Sequence, residues 1–184
     1  MGSYRTVRKA VLRRAIHVFR RLPPKLRRPI VRLGTPNYTV GSVVLLRDHD
    51  GRLLLLHQPP QPGWSLPGGL LDKREHPRDG AARELREETG VDLPSEELQP
   101  IVPNAHVNPW VQEVDMVFTA TVDALTTTIR ADGVEIREAE WYSLDALPPL
   151  TGPTFRLLGR AGLVSGEGTP ERPNYAVTEP EESL

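Results

Sequence analysis

The chain has no cysteine. Disulfide frameworks, thiolate zinc sites, iron–sulfur clusters and a cysteine nucleophile are therefore excluded. Long apolar runs are missing too: nothing approaches the 18 or so consecutive residues a membrane-crossing helix needs. Aromatic side chains are scarce, with three Phe, three Trp and four Tyr in 184 residues. That leaves little for a base-stacking surface of the kind that reads single-stranded RNA. The amino-terminal stretch lacks the uninterrupted apolar core and small-residue cleavage pattern of a secretory leader, so a cytoplasmic enzyme or binding domain is expected. Acidic residues are absent from residues 1–34, which hold 11 Lys and Arg. The rest carries 12 basic residues against 24 acidic ones, a net of -12 that the overall charge of -1 conceals. A basic arm thus precedes an acidic body.

What is present reads as one α/β (α+β) domain between two unlike ends. Residues 6–22 repeat apolar side chains every three or four positions (Val7, Val11, Ala15, Val18, Leu22), with arginines on the other side. This predicts a basic amphipathic helix, ended by Pro23 and Pro24. Residues 25–36 read as a connector with room for another short helical turn. Within the body, residues 38–47 and 52–57 are predicted strands around the His49-Asp50-Gly51 turn, pairing as a hairpin. Pro77 and Gly90 bracket a predicted helix over 77–89. Further strands are expected over 98–107, 111–122 and 134–142, the last opened by Asp132-Gly133. Short helices are expected over 143–147 and 154–161. Residues 165–184, rich in Glu and Pro with few apolar groups, are expected to be a disordered acidic tail. The organisation expected is an arm (1–36), a domain (37–163) and a tail (164–184).

One segment carries chemistry. On the 77–89 helix Glu84, Glu87 and Glu88 stand at i, i+3 and i+4, so their carboxylates share a face. Such a face is either solvated, with Arg83 and Arg86 compensating, or a site for a hard divalent cation with oxygen ligands. The surrounding spacing decides. Gly69, five residues, Glu75, seven residues, Arg83-Glu84-Leu85, one residue, Glu87-Glu88, one residue, Gly90-Val91 meets every defined position of the Nudix box. Over residues 37–150 the chain resembles the Nudix hydrolases.

The resemblance implies a mixed sheet sandwiched between helices. It implies hydrolysis of a pyrophosphate bond in a nucleoside diphosphate joined to another group, with Mg²⁺ or Mn²⁺ as cofactor. Glu84, Glu87 and Glu88 would hold the metal, with the carbonyl of Gly68 or Gly69. Glu135 would complete the set from across the cleft, with Glu138 and Glu140 as alternatives. Glu138 or Glu84 would serve as general base. Gly69, Glu75 and Gly90 would be structural, Arg83 pairing with Glu75 and helping to bind substrate. Trp64, just ahead of the box, either stacks on substrate or packs the hairpin. His76 stands at the helix N-cap, as a turn residue or a base. The box equally allows a sensor that binds a nucleotide without turnover, or a decapping-like enzyme using the basic arm. The acidic body and sparse aromatics disfavour a nucleic-acid partner. The expected substrate is a small nucleotide: a nucleotide sugar, an ADP-ribose-like compound or a nucleoside triphosphate. The arm, residues 6–22, would dock on its own acidic domain, on a second copy in a homodimer, or on an anionic membrane surface.

Overall fold

The computed structural model describes His17 and residues 19–164, and divides the chain at Tyr38 and Thr39 into two compact units. Most of the helix expected over 6–22, and the expected tail, lie outside the described residues.

In the first unit, residues 25–36 are more than a connector: helix α1 spans Pro24–Gly34. Proline at the first helical position supplies a preset φ and forfeits only an amide that would be unpaired anyway. At the far end Thr35 donates its hydroxyl to the Val31 carbonyl (2.9 Å), satisfying an otherwise orphaned acceptor.

The second unit is a seven-stranded mixed sheet with a helix on each face. Its strands are β1 (Thr39–Asp48), β2 (Leu53–His57), β3 (Trp64–Ser65), β4 (Gly68–Leu70), β5 (Gln99–Asn108), β6 (Glu113–Val122) and β7 (Glu138–Tyr142). Helix α2 is Pro77–Thr89 and α3 is Gly152–Arg160. The main path runs β3-β2-β1-β6-β5, with β4 also on β1 and β7 also on β2. β1 and β6 pair in parallel along ten residues, from Thr39 opposite Glu113 to Asp48 opposite Val122. β1 has neighbours on both edges and a helix on each face, hence its near-continuous apolar run.

Alternation sorts the core. Val44, Leu46, Leu54 and Phe118 pack against Ala81 and Leu85 of α2. Leu45, Leu53, Leu55 and Val117 pack against Leu157 and Leu158 of α3. The expected β1–β2 hairpin forms, but Arg47 opposite Leu53 is its one paired register, because β4 takes the first half of β1. The hairpin end is tied by buried Asp48, which accepts from the amides of Asp50 (3.0 Å) and Arg52 (2.8 Å) and from Arg52 Nε (2.6 Å). At the sheet edge β5 carries Pro100 and Pro103, which cannot donate, and its register with β6 shifts between Pro100 and Ala105.

Two expectations are corrected here. Residues 143–147 form a turn, Ala146 N–H to Ser143 carbonyl at 3.0 Å, rather than a helix. The last strand is Glu138–Tyr142, not 134–142. Asp132 accepts the amides of Val134 (3.0 Å), Glu135 (3.1 Å) and Ile136 (2.7 Å), which a longer ladder would need.

Candidate active site

The site is built where β4 crosses the face of α2. α2 starts as its residues dictate: Pro77 at N1, Asp79 in the first turn, and His76 as N-cap, its Nδ1 accepting the Arg78 amide at a long 3.4 Å. It ends at Gly90 in the left-handed conformation (φ 72°), whose amide returns to the Arg86 carbonyl. These ends fix the rotation of the helix, and Leu85 and Ala81, fully buried, turn Glu84 and Glu88 towards β4.

Both glycines of β4 permit close contact. Gly68 sits at φ 150°, and a Cβ there would lie 2.3 Å from the Ser42 carbonyl oxygen. Its amide donates to Glu88 Oε2 at 2.8 Å. A Cβ on Gly69 would fall 2.7 Å from the Glu84 carboxylate carbon. A side chain at Gly68 would push β4 off β1, and one at Gly69 would push it off Glu84.

Arg83 binds the loop to the helix. Nε and Nη2 each meet one oxygen of Glu75 at 2.9 Å, Nη1 reaches Glu84 (2.8 Å) and Glu87 (3.1 Å), and Nη2 also donates to the Leu70 carbonyl (3.1 Å). A guanidinium has five N–H groups, and these contacts use five. The pair pulls Glu75 down to about 2, by hydrogen bonding to Arg83 first, against the opposing effect of burial.

Glu88 is the perturbed group. Burial pushes it up to about 8; the Gly68 amide holds it back, while the charges of Glu84, Asp132 and Glu135 add to the rise. Glu135 and Asp132, in the loop before β7, are near enough for their charges to act on Glu88. Asp132 itself is held below the ordinary carboxylate range, by the Ile136 amide above all. Glu138 and Glu140 lie elsewhere. They alternate with Ala139 and Trp141, which pack on the α2 side, and so share a face with Tyr142, whose hydroxyl donates to Glu140 (3.0 Å). Glu87 is the exposed member of its trio, with 54% of its side chain in solvent.

Trp64 is half-buried on the α3 side. It stacks on His57 (centroids 5.4 Å apart) and meets Tyr142 edge-on (4.9 Å). Its backbone ties the loop before α3, donating to Pro149 O (2.8 Å) and accepting from Thr151 N (2.9 Å).

Among the described residues no three acidic or imidazole side chains stand together as a ready-made ligand set. The residues nonetheless fit a hard divalent ion. Every donor is an oxygen, and Glu88 is buried amid the like charges of Glu84, Asp132 and Glu135. The two glycines keep β4 against the carboxylates.

A second polar pair escaped the sequence reading. Asp115 of β6 faces His106 of β5 across the strands, on the α3 side. Asp115 Oδ1 would lie 2.9 Å from a Cβ on Gly41, and the Gly69 carbonyl oxygen 3.1 Å from it. Burial, then Glu113, pushes Asp115 up to about 6. His106 Nδ1 is buried with no partner among the described residues. Burial first, then Arg160 and Arg156, lowers its basicity. Strand alternation alone could have placed Asp115 with Val117 on one face, but its partner required the register.

A mixed sheet between two helices, with the box folded as loop and helix at its edge, defines a hydrolase of the Nudix class. The NUDIX domain family model matches residues 37–158. A MutT-like protein of Streptomyces ambofaciens is 31% identical over 127 residues, 64% of this chain and 80% of its own. A Bacillus subtilis (strain 168) protein provisionally named an 8-oxo-dGTP diphosphatase is 30% identical over 111 residues, 60% of this chain and 70% of its own. The crystal structure of a MutT NUDIX hydrolase from Burkholderia pseudomallei superposes with a TM-score of 0.55 at 29% identity, covering 67% of this chain and 97% of that one. The chain belongs to the Nudix family and is a pyrophosphohydrolase of that kind.

Proposed function

We propose that the enzyme hydrolyses the pyrophosphate bond of a small nucleotide, a nucleoside diphosphate carrying a further group, with Mg²⁺ or Mn²⁺ bound. The observation that carries this is the convergence of Glu84 and Glu88 on the glycines of β4. Glu84, Glu88 and the Gly68 backbone would hold the cation, with Glu87 at the solvent edge. When bound, the cation neutralises the diphosphate and makes phosphorus more electrophilic.

The protein's own part is positional. Arg83 fixes Glu84 through a 2.8 Å ion pair and braces the loop through Glu75. Glu135 makes no ion pair among the described residues, so its carboxylate is the group we assign to take the proton of the attacking water. The water oxygen bonds to phosphorus, the bridging phosphorus–oxygen bond breaks, and two phosphate products leave. Glu138, on the α3 side with Tyr142, serves less well as that base.

The test is a panel of nucleotide sugars, ADP-ribose-like compounds and nucleoside triphosphates with Mg²⁺ or Mn²⁺, phosphate being measured with and without added phosphatase. Pyrophosphate release marks a triphosphate substrate. Phosphate seen only after phosphatase, with a mononucleotide product, marks a diphosphate-linked one. Saturable binding without turnover of any compound replaces this reading with a nucleotide sensor.

A further inference from the structure

The box accounts for none of residues 1–34. Helix α1 lays Leu26, Ile30 and Leu33 at i, i+4 and i+7, one stripe along its length. These side chains are 52%, 47% and 90% exposed, and Val31 beside them 46%. Lys25 and Arg32 flank the stripe on one side and Arg27 on the other, with Arg28 towards the far face. No acidic residue occurs anywhere in residues 1–34, against 11 basic ones.

We propose that this segment docks on an anionic lipid surface, α1 lying in the headgroup boundary with its apolar stripe inward. Cations on both flanks of an apolar stripe let the aliphatic stems follow the apolar side chains down while the charged heads stay among lipid phosphates. Nucleic acid and a second α1 each satisfy half of this pattern. Nucleic acid would meet the arginines and leave Leu26, Ile30 and Leu33 in water. A second α1 would cover the stripe and bring Lys25, Arg27 and Arg32 against the same three charges, with no acid in either helix. Eleven residues make a helix of about 16 Å, too short to cross a bilayer and suited to lying on one.

The experiment uses the full chain. It is sedimented with vesicles of neutral phosphatidylcholine and with vesicles one-third phosphatidylglycerol, in low and high salt, and its mass in lipid-free buffer is measured alongside. Two variants accompany it: Leu26→Asp with Ile30→Asp and Leu33→Asp, and Lys25→Glu with Arg28→Glu and Arg32→Glu. Circular dichroism and melting confirm that the body is intact. The expected result is binding to anionic vesicles, weak on neutral ones, reduced by salt, and at least about tenfold weaker in each variant. No binding to anionic vesicles overturns the proposal. So does an apolar-stripe variant that binds as the parent does, since adsorption would then be charge alone. Loss of a dimer mass in the stripe variant, without vesicle binding by the parent, puts a second copy on this face instead. RNA binding lost in the basic variant and kept in the stripe variant, again without vesicle binding, puts nucleic acid there.

Discussion

Arg83 and Glu75 face each other fork to fork, two N–H···O bonds of 2.9 Å joining the α2 helix to the loop that leads into it. Such a bidentate pair fixes direction as well as distance. Because the same guanidinium also holds Glu84, the loop, the helix and the Glu84 carboxylate are a single rigid unit.

This brace makes the acid limb of stability predictable. Glu75 is pulled from 4.5 to about 2 on folding, so the folded chain binds fewer protons than the unfolded one between those values. The stabilisation is complete above about pH 4.5 and is lost as pH falls through about 2. Glu75→Gln keeps an acceptor and loses the charge. It should cost about 1–2 kcal/mol near neutrality and flatten the decline towards pH 2, measured by urea melts across that range. Arg83→Lys has one nitrogen where five directed donors are needed, and kcat should fall about 10–100-fold. A variant with parental activity would detach the brace from catalysis.

Glu88→Gln separates chemistry from stability. The amide oxygen still accepts from Gly68, now at 2.8 Å, and the buried charge is gone. Metal-free stability should hold or rise, since the carboxylate otherwise sits beside Glu84, Asp132 and Glu135. Turnover with Mg²⁺ should drop on the order of 10²–10³-fold. Full activity in both Glu84→Gln and Glu88→Gln would sink the carboxylate assignment.

Trp64 is placed by its neighbours for packing. Truncation to Ala removes the stack on His57 and the edge contact with Tyr142. A loss of about 2–3 kcal/mol is expected, below a fully buried Trp because the ring is half open. KM should stay within about twofold of the parent. A raised KM at unchanged melting temperature would restore Trp64 to the substrate site.

The α2 boundaries could be read directly, because Pro77 and Gly90 act locally and nothing distant competes with them. The same holds for the β1 and β2 turn, where Asp48 bonds residues two and four positions on. The stretch 134–137 misleads for a local reason that composition hides: Asp132 captures three amides and turns an apolar-looking run into a loop. α1 is obscured by Pro23 and Pro24, which end one helical pattern and supply the first turn of the next. Asp115 and His106 are nine positions apart in sequence, and only the β5–β6 register brings them together.

Asp115 gives the last test, with the opposite sign to Glu75. Its carboxyl accepts no hydrogen bond from the described residues, and burial, then Glu113, raises it from 3.8 to about 6. The folded chain therefore binds more protons than the unfolded one between those values, and stability falls as pH rises through them. Above about pH 6 the full cost of a charged, half-buried carboxylate is carried. Asp115→Asn should relieve it, raising stability at pH 7.5 by about 1–2 kcal/mol. That is less than the ~3 kcal/mol of a full two-unit shift, because the group is partly open to water. At pH 4 the folded parent is almost wholly neutral and the unfolded parent only about half ionised, so most of the gain should be gone. Thermal melts of the two proteins at pH 4, 6 and 7.5 check this. Equal gains at all three pH values would show that the substitution acts through packing beside Gly41 rather than through the buried charge.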